Sequence, residues 1–153
     1  MKKKLLLGLV VVLVAIQFFR PGKNLGPAEP GPKHIVSLYA TPPAIKTILA
    51  KACYDCHSDR TRYPWYAEVQ PVAWWLASHI EDGKRHLNFS QFGTYPPKRA
   101  DHKLESAIRE IRDEGMPLWS YTAIHREADL TEAESAALTA WMEGVRQQLP
   151  AQK

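Results

Sequence analysis

Cys53-Tyr54-Asp55-Cys56-His57 contains the only two cysteines among 153 residues. The spacing is C-x-x-C with a histidine directly after it. Two thiols placed so can add across the two vinyl groups of a haem, and the adjacent imidazole then becomes an axial ligand of the iron. Two other chemistries use the same pair. A C-x-x-C redox disulfide normally opens a helix in a βαβ context, and no such pattern surrounds this one. Half of a zinc site would need a second cysteine pair, so its remaining ligands would have to be scattered histidines. Covalent haem attachment is therefore the leading reading of the stretch, with Cys53 and Cys56 holding the porphyrin and His57 on the iron.

The stretch sits in a chain long enough for one domain with appendages. Net charge is +4, and Lys2, Lys3 and Lys4 supply much of that excess. Without them the domain is nearly balanced and has no basic stripe interleaved with aromatics, so no nucleic-acid partner is expected. Five tryptophans and six tyrosines are a heavy aromatic load. Such side chains suit the pocket of a large, flat, apolar cofactor, and they equally suit a small core.

Upstream, Met1–Lys4 is a positive flank followed by a run without charge from Leu5 to Phe19, interrupted only by Gln17. Phe18-Phe19-Arg20 lacks the small residues of a signal-peptidase site, and Gly26-Pro27-Ala28 lies well past the run. An uncleaved signal anchor over residues 1–20 is favoured over a cleaved signal peptide, although the run is short for a span of roughly 20 residues. Either way the lysines stay inside and the remainder is exported. The expected location is the bacterial inner membrane, single-pass, with the C-terminal domain in the periplasm, where covalent haem attachment takes place. Residues 21–34 hold four prolines and three glycines without hydrophobic period and read as an extended tether. The folded domain is expected over 35–149.

Inside that domain, Thr41-Pro42-Pro43 marks a helix start with Thr41 as N-cap. Ile45, Ile48, Leu49 and Ala52 form one face of this helix, which runs straight into Cys53. A second helix follows Pro71, with Val72, Trp75, Leu76, His79 and Ile80 on a buried stripe, and stops at Asp82-Gly83. Residues 88–97 read as a loop. A third helix spans about Asp101–Glu114, with Leu104, Ala107, Ile108 and Ile111 inward and Gly115 as its stop. Thr131 and Glu134 form a capping box opening a last helix to about Gln148, whose apolar face is Leu138, Trp141, Met142 and Val145.

The iron's second axial position has two candidates. Pro117 forces Met116 into extended backbone just past the third helix, which suits a thioether ligand, whereas a core methionine filling a gap is the plain alternative. His79 is the rival, although a histidine on an apolar stripe is more often a hydrogen-bonded core residue. No internal repeat, phosphate loop or Ser-His-Asp set is present.

In order, the helix, Cys53-x-x-Cys56-His57, the Met116-Pro117 loop and a C-terminal amphipathic helix with Trp141 resemble small c-type cytochromes. More narrowly, the chain is similar to the bacterial haem-binding domain family of short, membrane-anchored monohaem proteins. The matching stretches are Cys56-His57-Ser58, Tyr63-Pro64-Trp65-Tyr66, Trp74-Trp75, Leu87-Asn88-Phe89-Ser90, Gly115-Met116-Pro117, and Tyr121 with His125. The likeness covers roughly residues 38–146.

The resemblance implies an all-α, cytochrome c-like domain around one haem c, acting in electron transfer. The expectation is thus a membrane-tethered electron carrier, not an enzyme, with Cys53, Cys56, His57 and Met116 as the haem site and membrane-associated redox proteins as partners. The alternative is a peroxidase-like haem enzyme or a gas or redox sensor with an open or labile sixth position. In it His79, His86 or His125 would serve as the distal group.

Overall fold

Proline pairs open two of the long helices, because a residue without an amide donor costs nothing in a first turn whose donors have no partner anyway. In the computed structural model, which describes residues 1–150, Pro42-Pro43 starts α3 (Pro43–Ala52) and Pro96-Pro97 starts α6 (Pro97–Arg112). The first start is one residue past the expected cap: Thr41 donates its hydroxyl to the Tyr39 carbonyl at 2.8 Å instead. The second comes four residues before the expected Asp101, since the Pro96-Pro97 signal outweighs the polar run Lys98-Arg99 behind it.

The remaining elements are α1 (Lys2–Ile16), α2 (Ile35–Leu38), α4 (Tyr54–His57), α5 (Val72–His86), α7 (Trp119–Thr122) and α8 (Glu132–Gln148). Three 3-10 turns lie at Trp65–Glu68, Phe89–Thr94 and Arg126–Ala128. The all-helical class expected from the sequence holds. Among the described residues the sole β contact is an isolated antiparallel bridge between Leu25 and Arg60.

Apolar side chains collect in two clusters. The larger joins Ile45, Ile48 and Leu49 of α3, Leu104, Ile108 and Ile111 of α6, and Leu138, Met142 and Val145 of α8, with Phe89 and Phe92 beneath. Each such side chain removed from water contributes about 1.5–3 kcal/mol. These are the stripes that the helical period predicts. The capping box is formed as expected: Thr131 Oγ1 accepts from the Glu134 amide at 3.2 Å, and Glu134 Oε2 accepts from the Thr131 amide at 3.0 Å. Within the region 88–97, expected as a loop, Phe89–Thr94 instead form a 3-10 turn, which Phe89 and Phe92, both 2% exposed, pin to the core.

The smaller cluster is Ala67, Leu76 and Ile80 with Cys56 and Tyr63 against it. Here α5 departs from expectation twice. Its buried face is Ala73, Leu76 and Ile80; Trp75 is 45% exposed and His79 is half-buried, so the stripe is rotated away from those two rings. The helix also passes through Gly83 to His86. Gly83 is no stop; a Cβ there would lie 2.6 Å from the Cys56 carbonyl oxygen, so glycine permits α5 to touch α4.

At the N-terminus α1 is apolar, and none of its residues is buried. Its 15 residues give a length of roughly 22 Å at the α-helical rise, below the ~30 Å of a bilayer's hydrocarbon core. No described helix is long and apolar enough to cross a membrane. The segment expected as a free tether packs back on the domain. Asn24 is the reason: its side-chain amide donates to the Ser58 carbonyl (2.9 Å) and Thr61 Oγ1 (3.0 Å), while Lys84 donates to its Oδ1 (2.7 Å). Gly26 completes the dock, with its amide 2.8 Å from the Asp59 carbonyl and no room for a Cβ beside that oxygen.

The end of α6 also differs from the pattern. Gly115 and Glu114 close a Schellman motif: the Gly115 amide bonds the Glu110 carbonyl (2.8 Å) and the Glu114 amide bonds that of Ile111 (3.3 Å). The left-handed position is held by Glu114 at φ 57°, not by the glycine after it. A side chain in that conformation costs ~1–2 kcal/mol, partly offset by glycine's greater freedom when unfolded. Glu114→Gly should therefore raise stability by about 0.5–1 kcal/mol, seen as a higher denaturation midpoint at unchanged denaturant slope.

Candidate functional site

Where α3 ends, Cys53 serves as its C-cap and as N-cap of α4, with the Cys53 amide on the Leu49 carbonyl at 3.0 Å. The Cys56 and His57 amides both return to the Cys53 carbonyl, at 3.2 and 2.9 Å. The motif is thus a single helical turn, and positions i, i+3 and i+4 of a turn share one side. Cys53, Cys56 and His57 accordingly line one cavity of about 600 Å³, within the range of small-molecule and cofactor sites. Its apolar wall is Leu87, Phe89, Ile111, Leu138 and Met142.

The imidazole of His57 is set for coordination. Its Nδ1 lies 2.9 Å from the carbonyl oxygen of Leu87, which can only accept, so Nδ1 carries the proton and Nε2 keeps its lone pair. Burial lowers its pKa below the ordinary histidine value, which favours this neutral form. Phe89 packs edge-on against the ring at 6.4 Å. Leu87 follows α5 directly, so the end of that helix determines which nitrogen faces the cavity.

The cysteines are free, and burial pushes their thiols up to about 12 for Cys53 and about 11 for Cys56. Thiols so protonated are poor redox nucleophiles. No group of three or more His, Cys, Asp or Glu among the described residues could hold a metal ion by itself, which leaves the zinc alternative without a ligand set.

Sequence reasoning missed what holds the motif in place. Asp55, 8% exposed, accepts from the Arg62 amide (2.9 Å) and Arg62 Nε (3.2 Å) at Oδ1. At Oδ2 it accepts from Arg62 Nη2 (3.0 Å) and the Tyr121 hydroxyl (2.6 Å). Burial first, and this hydrogen bond second, raise the Tyr121 pKa, so the hydroxyl remains the donor. Tyr121 stacks on His125 at 4.5 Å between centroids, and His125 Nε2 meets the Tyr66 hydroxyl at 2.6 Å. After the motif, Asp59 is held by Asn88 Nδ2 (2.7 Å) and Gln91 Nε2 (2.6 Å), and its amide donates to Ser90 Oγ (3.1 Å). These bonds give physical roles to stretches 87–90 and 121–125. Nothing in the sequence pointed to Arg62.

Both candidates for the second axial position reach the same cavity. Met116 lines it from the loop after α6, with its amide on the Glu110 carbonyl at 3.1 Å. His79 lines it from α5; its Nδ1 is 2.8 Å from the Trp75 carbonyl and so carries the proton, leaving Nε2 free. His86 is also on the wall, whereas His125 lies in a neighbouring groove. Met142, expected only as part of the α8 stripe, is 1% exposed and contributes to both core and cavity.

A family of haem-binding domains matches residues 11–144. The chain belongs to this haem-binding domain family. The match spans the docked segment as well as the helices, in agreement with the contacts of Asn24 and Gly26. No curated protein and no solved structure matches the chain. The donor set fits the cofactor: two thiols and a neutral imidazole with a free Nε2 on one side of an apolar cavity. This haem-binding domain depends on α5 lying close to α4. Gly83→Ala should lower stability by about 1–3 kcal/mol, since the clash is with backbone, and should reduce the haem recovered per chain. Denaturant titration and haem absorbance per protein measure the two effects.

Proposed function

We propose that the chain is a monohaem c-type cytochrome that carries electrons while tethered to the periplasmic face of a bacterial inner membrane. The observation that carries it is the His57–Leu87 hydrogen bond, which aims a bare Nε2 into the cavity that also receives both cysteine side chains. Each thiol S–H would add across a vinyl C=C, forming a C–S bond and placing the hydrogen on carbon, with no net oxidation. The bound haem supplies a one-electron couple at its iron. His57 would bind the iron through Nε2, and its Nδ1–H on a fixed carbonyl keeps the ring from turning between oxidation states.

Met116 is proposed as the second axial ligand. The Gly115 turn and Pro117 restrain it, and a thioether opposite histidine raises the reduction potential relative to two imidazoles. The apolar part of the wall, Leu87, Phe89, Ile111, Leu138 and Met142, would shield that side of a bound haem from water and act on the potential in the same direction. Arg85, Lys103 and Arg109 on the cavity wall would be available to pair with the carboxylates of such a cofactor.

The tether proposed is α1, whose leucines and valines from Leu5 to Val14 all stand exposed. Lys4 and Arg20 at its flanks would snorkel to reach the headgroups on either side. A tethered carrier meets its membrane-associated redox proteins at high effective concentration.

The second reading, a haem enzyme or sensor with a labile sixth position, draws on the free Nε2 of His79 at the same cavity. Two measurements test these readings. Haem should remain on the denatured wild-type chain and be lost from the Cys53→Ala/Cys56→Ala variant; retention by the double variant rules out thioether attachment. In the oxidised protein, Met116→Ala should abolish the near-infrared sulfur-to-iron band and turn the iron high-spin, while His79→Ala should leave both unchanged. High-spin wild-type protein would favour the enzyme or sensor instead.

A further inference from the structure

Beside the haem cavity lies a second, open groove of about 600 Å³, walled by Trp65, Val72, Trp75, Leu76, Leu118 and Ile124. Its rim is exposed to a degree that folding alone does not explain: Trp65 is 80%, Trp75 45% and Ile124 61% accessible. Large apolar side chains gathered in one exposed concavity mark a surface that something covers. The chain itself indicates what.

The groove and the exit of α1 are built from the same short stretch. Trp65 opens a 3-10 turn whose last residue, Glu68, pairs with Arg20 (2.7 Å) and with Lys23 just beyond α1. Gln70 then locks the helix end by three bonds. Its amide donates to Gln17 Oε1 (3.0 Å), its carbonyl accepts from Gln17 Nε2 (3.3 Å), and its side chain donates to the Phe19 carbonyl (2.7 Å). Two residues later α5 begins with Val72, followed by Trp75 one turn on. Phe18 and Phe19, 83% and 67% exposed, carry the bare apolar surface of α1 up to this junction.

From this continuity we propose that the Trp65–Trp75–Ile124 groove lies in the lipid–water interface of the membrane that α1 enters, as a second contact that orients the domain. Tryptophan suits that place because its ring is apolar while its N–H remains in contact with water and headgroups. The consequence is directional. Cys56 and His79 line both the groove and the haem cavity, so the Cys56 side of the haem site would face the bilayer. Electron exchange is then confined to partners at or within the membrane surface.

The inference rests on the membrane attachment proposed above, and the test separates the two. The full-length haem-loaded protein is reconstituted in phosphatidylcholine–phosphatidylglycerol nanodiscs with a photo-crosslinking residue in place of Trp65, Ile124 or, as reference, Glu132, an exposed residue in the first turn of α8. Haem absorbance confirms that each variant is folded. Lipid adducts, counted by mass spectrometry after illumination, should be several-fold more abundant at 65 and 124 than at 132. Equal yields at all three positions, with the chain still co-eluting with nanodiscs, would overturn the groove contact, leave the anchor standing and assign the groove to a protein partner. A chain that elutes apart from nanodiscs would overturn both.

Discussion

The hydrogen bond from His57 Nδ1 to the Leu87 carbonyl is the contact on which the rest of the site depends. A carbonyl cannot donate, so the bond selects one tautomer, and the other nitrogen is left with a lone pair in an apolar cavity. Everything needed to hold Leu87 in place then becomes part of the haem site at one remove. That includes the full length of α5 through Gly83, the buried rings of Phe89 and Phe92, the bonds from Asn88 and Gln91 to Asp59, and the bond from the Asp59 amide to Ser90. The protein fixes its proposed iron ligand by fixing a helix end.

A second constraint works on the opposite flank of the motif. Asp55 lies between the two cysteines in sequence, and its carboxylate is held in a clamp with Arg62 and Tyr121. A buried carboxylate with four donors is satisfied. Removing one partner would leave buried acceptor oxygens unpaired, so the clamp resists rotation of the α4 turn. Tyr121 carries the same restraint to the α7 region that follows Met116, so the two proposed axial ligands are referred to one rigid unit.

Contact between domain and N-terminal segment changes how the molecule is to be viewed. Residues 21–34 are rich in proline and glycine, which usually signals a solvated linker. Asn24 and Gly26 instead satisfy backbone and side-chain groups of residues 58–61 directly after the haem motif. With Gln17 and Gln70 bonded as well, little slack remains between α1 and the domain. The docked segment thereby fixes the direction in which α1 leaves the haem-binding domain.

Local chemistry alone determined a good deal about this protein. The C-x-x-C-H spacing, the proline pairs at helix starts, the Thr131–Glu134 box and the stripes of α3, α6 and α8 depend on neighbours within one or two turns, so they could be read from the chain. What failed to read correctly depended on distant partners. Gly83 looked like a stop but is a point of contact with Cys56; Glu114 took the left-handed position that Gly115 seemed made for; residues 88–97 looked like a loop until two phenylalanines were seen to be buried. The face of α5 that turns inward depends on partners in other elements, and the tautomer of His57 and the clamp on Asp55 join residues seven to 66 positions apart. Tertiary structure alone decides such matters, because a hydrogen bond or a close approach exists only once folding has brought both sides together.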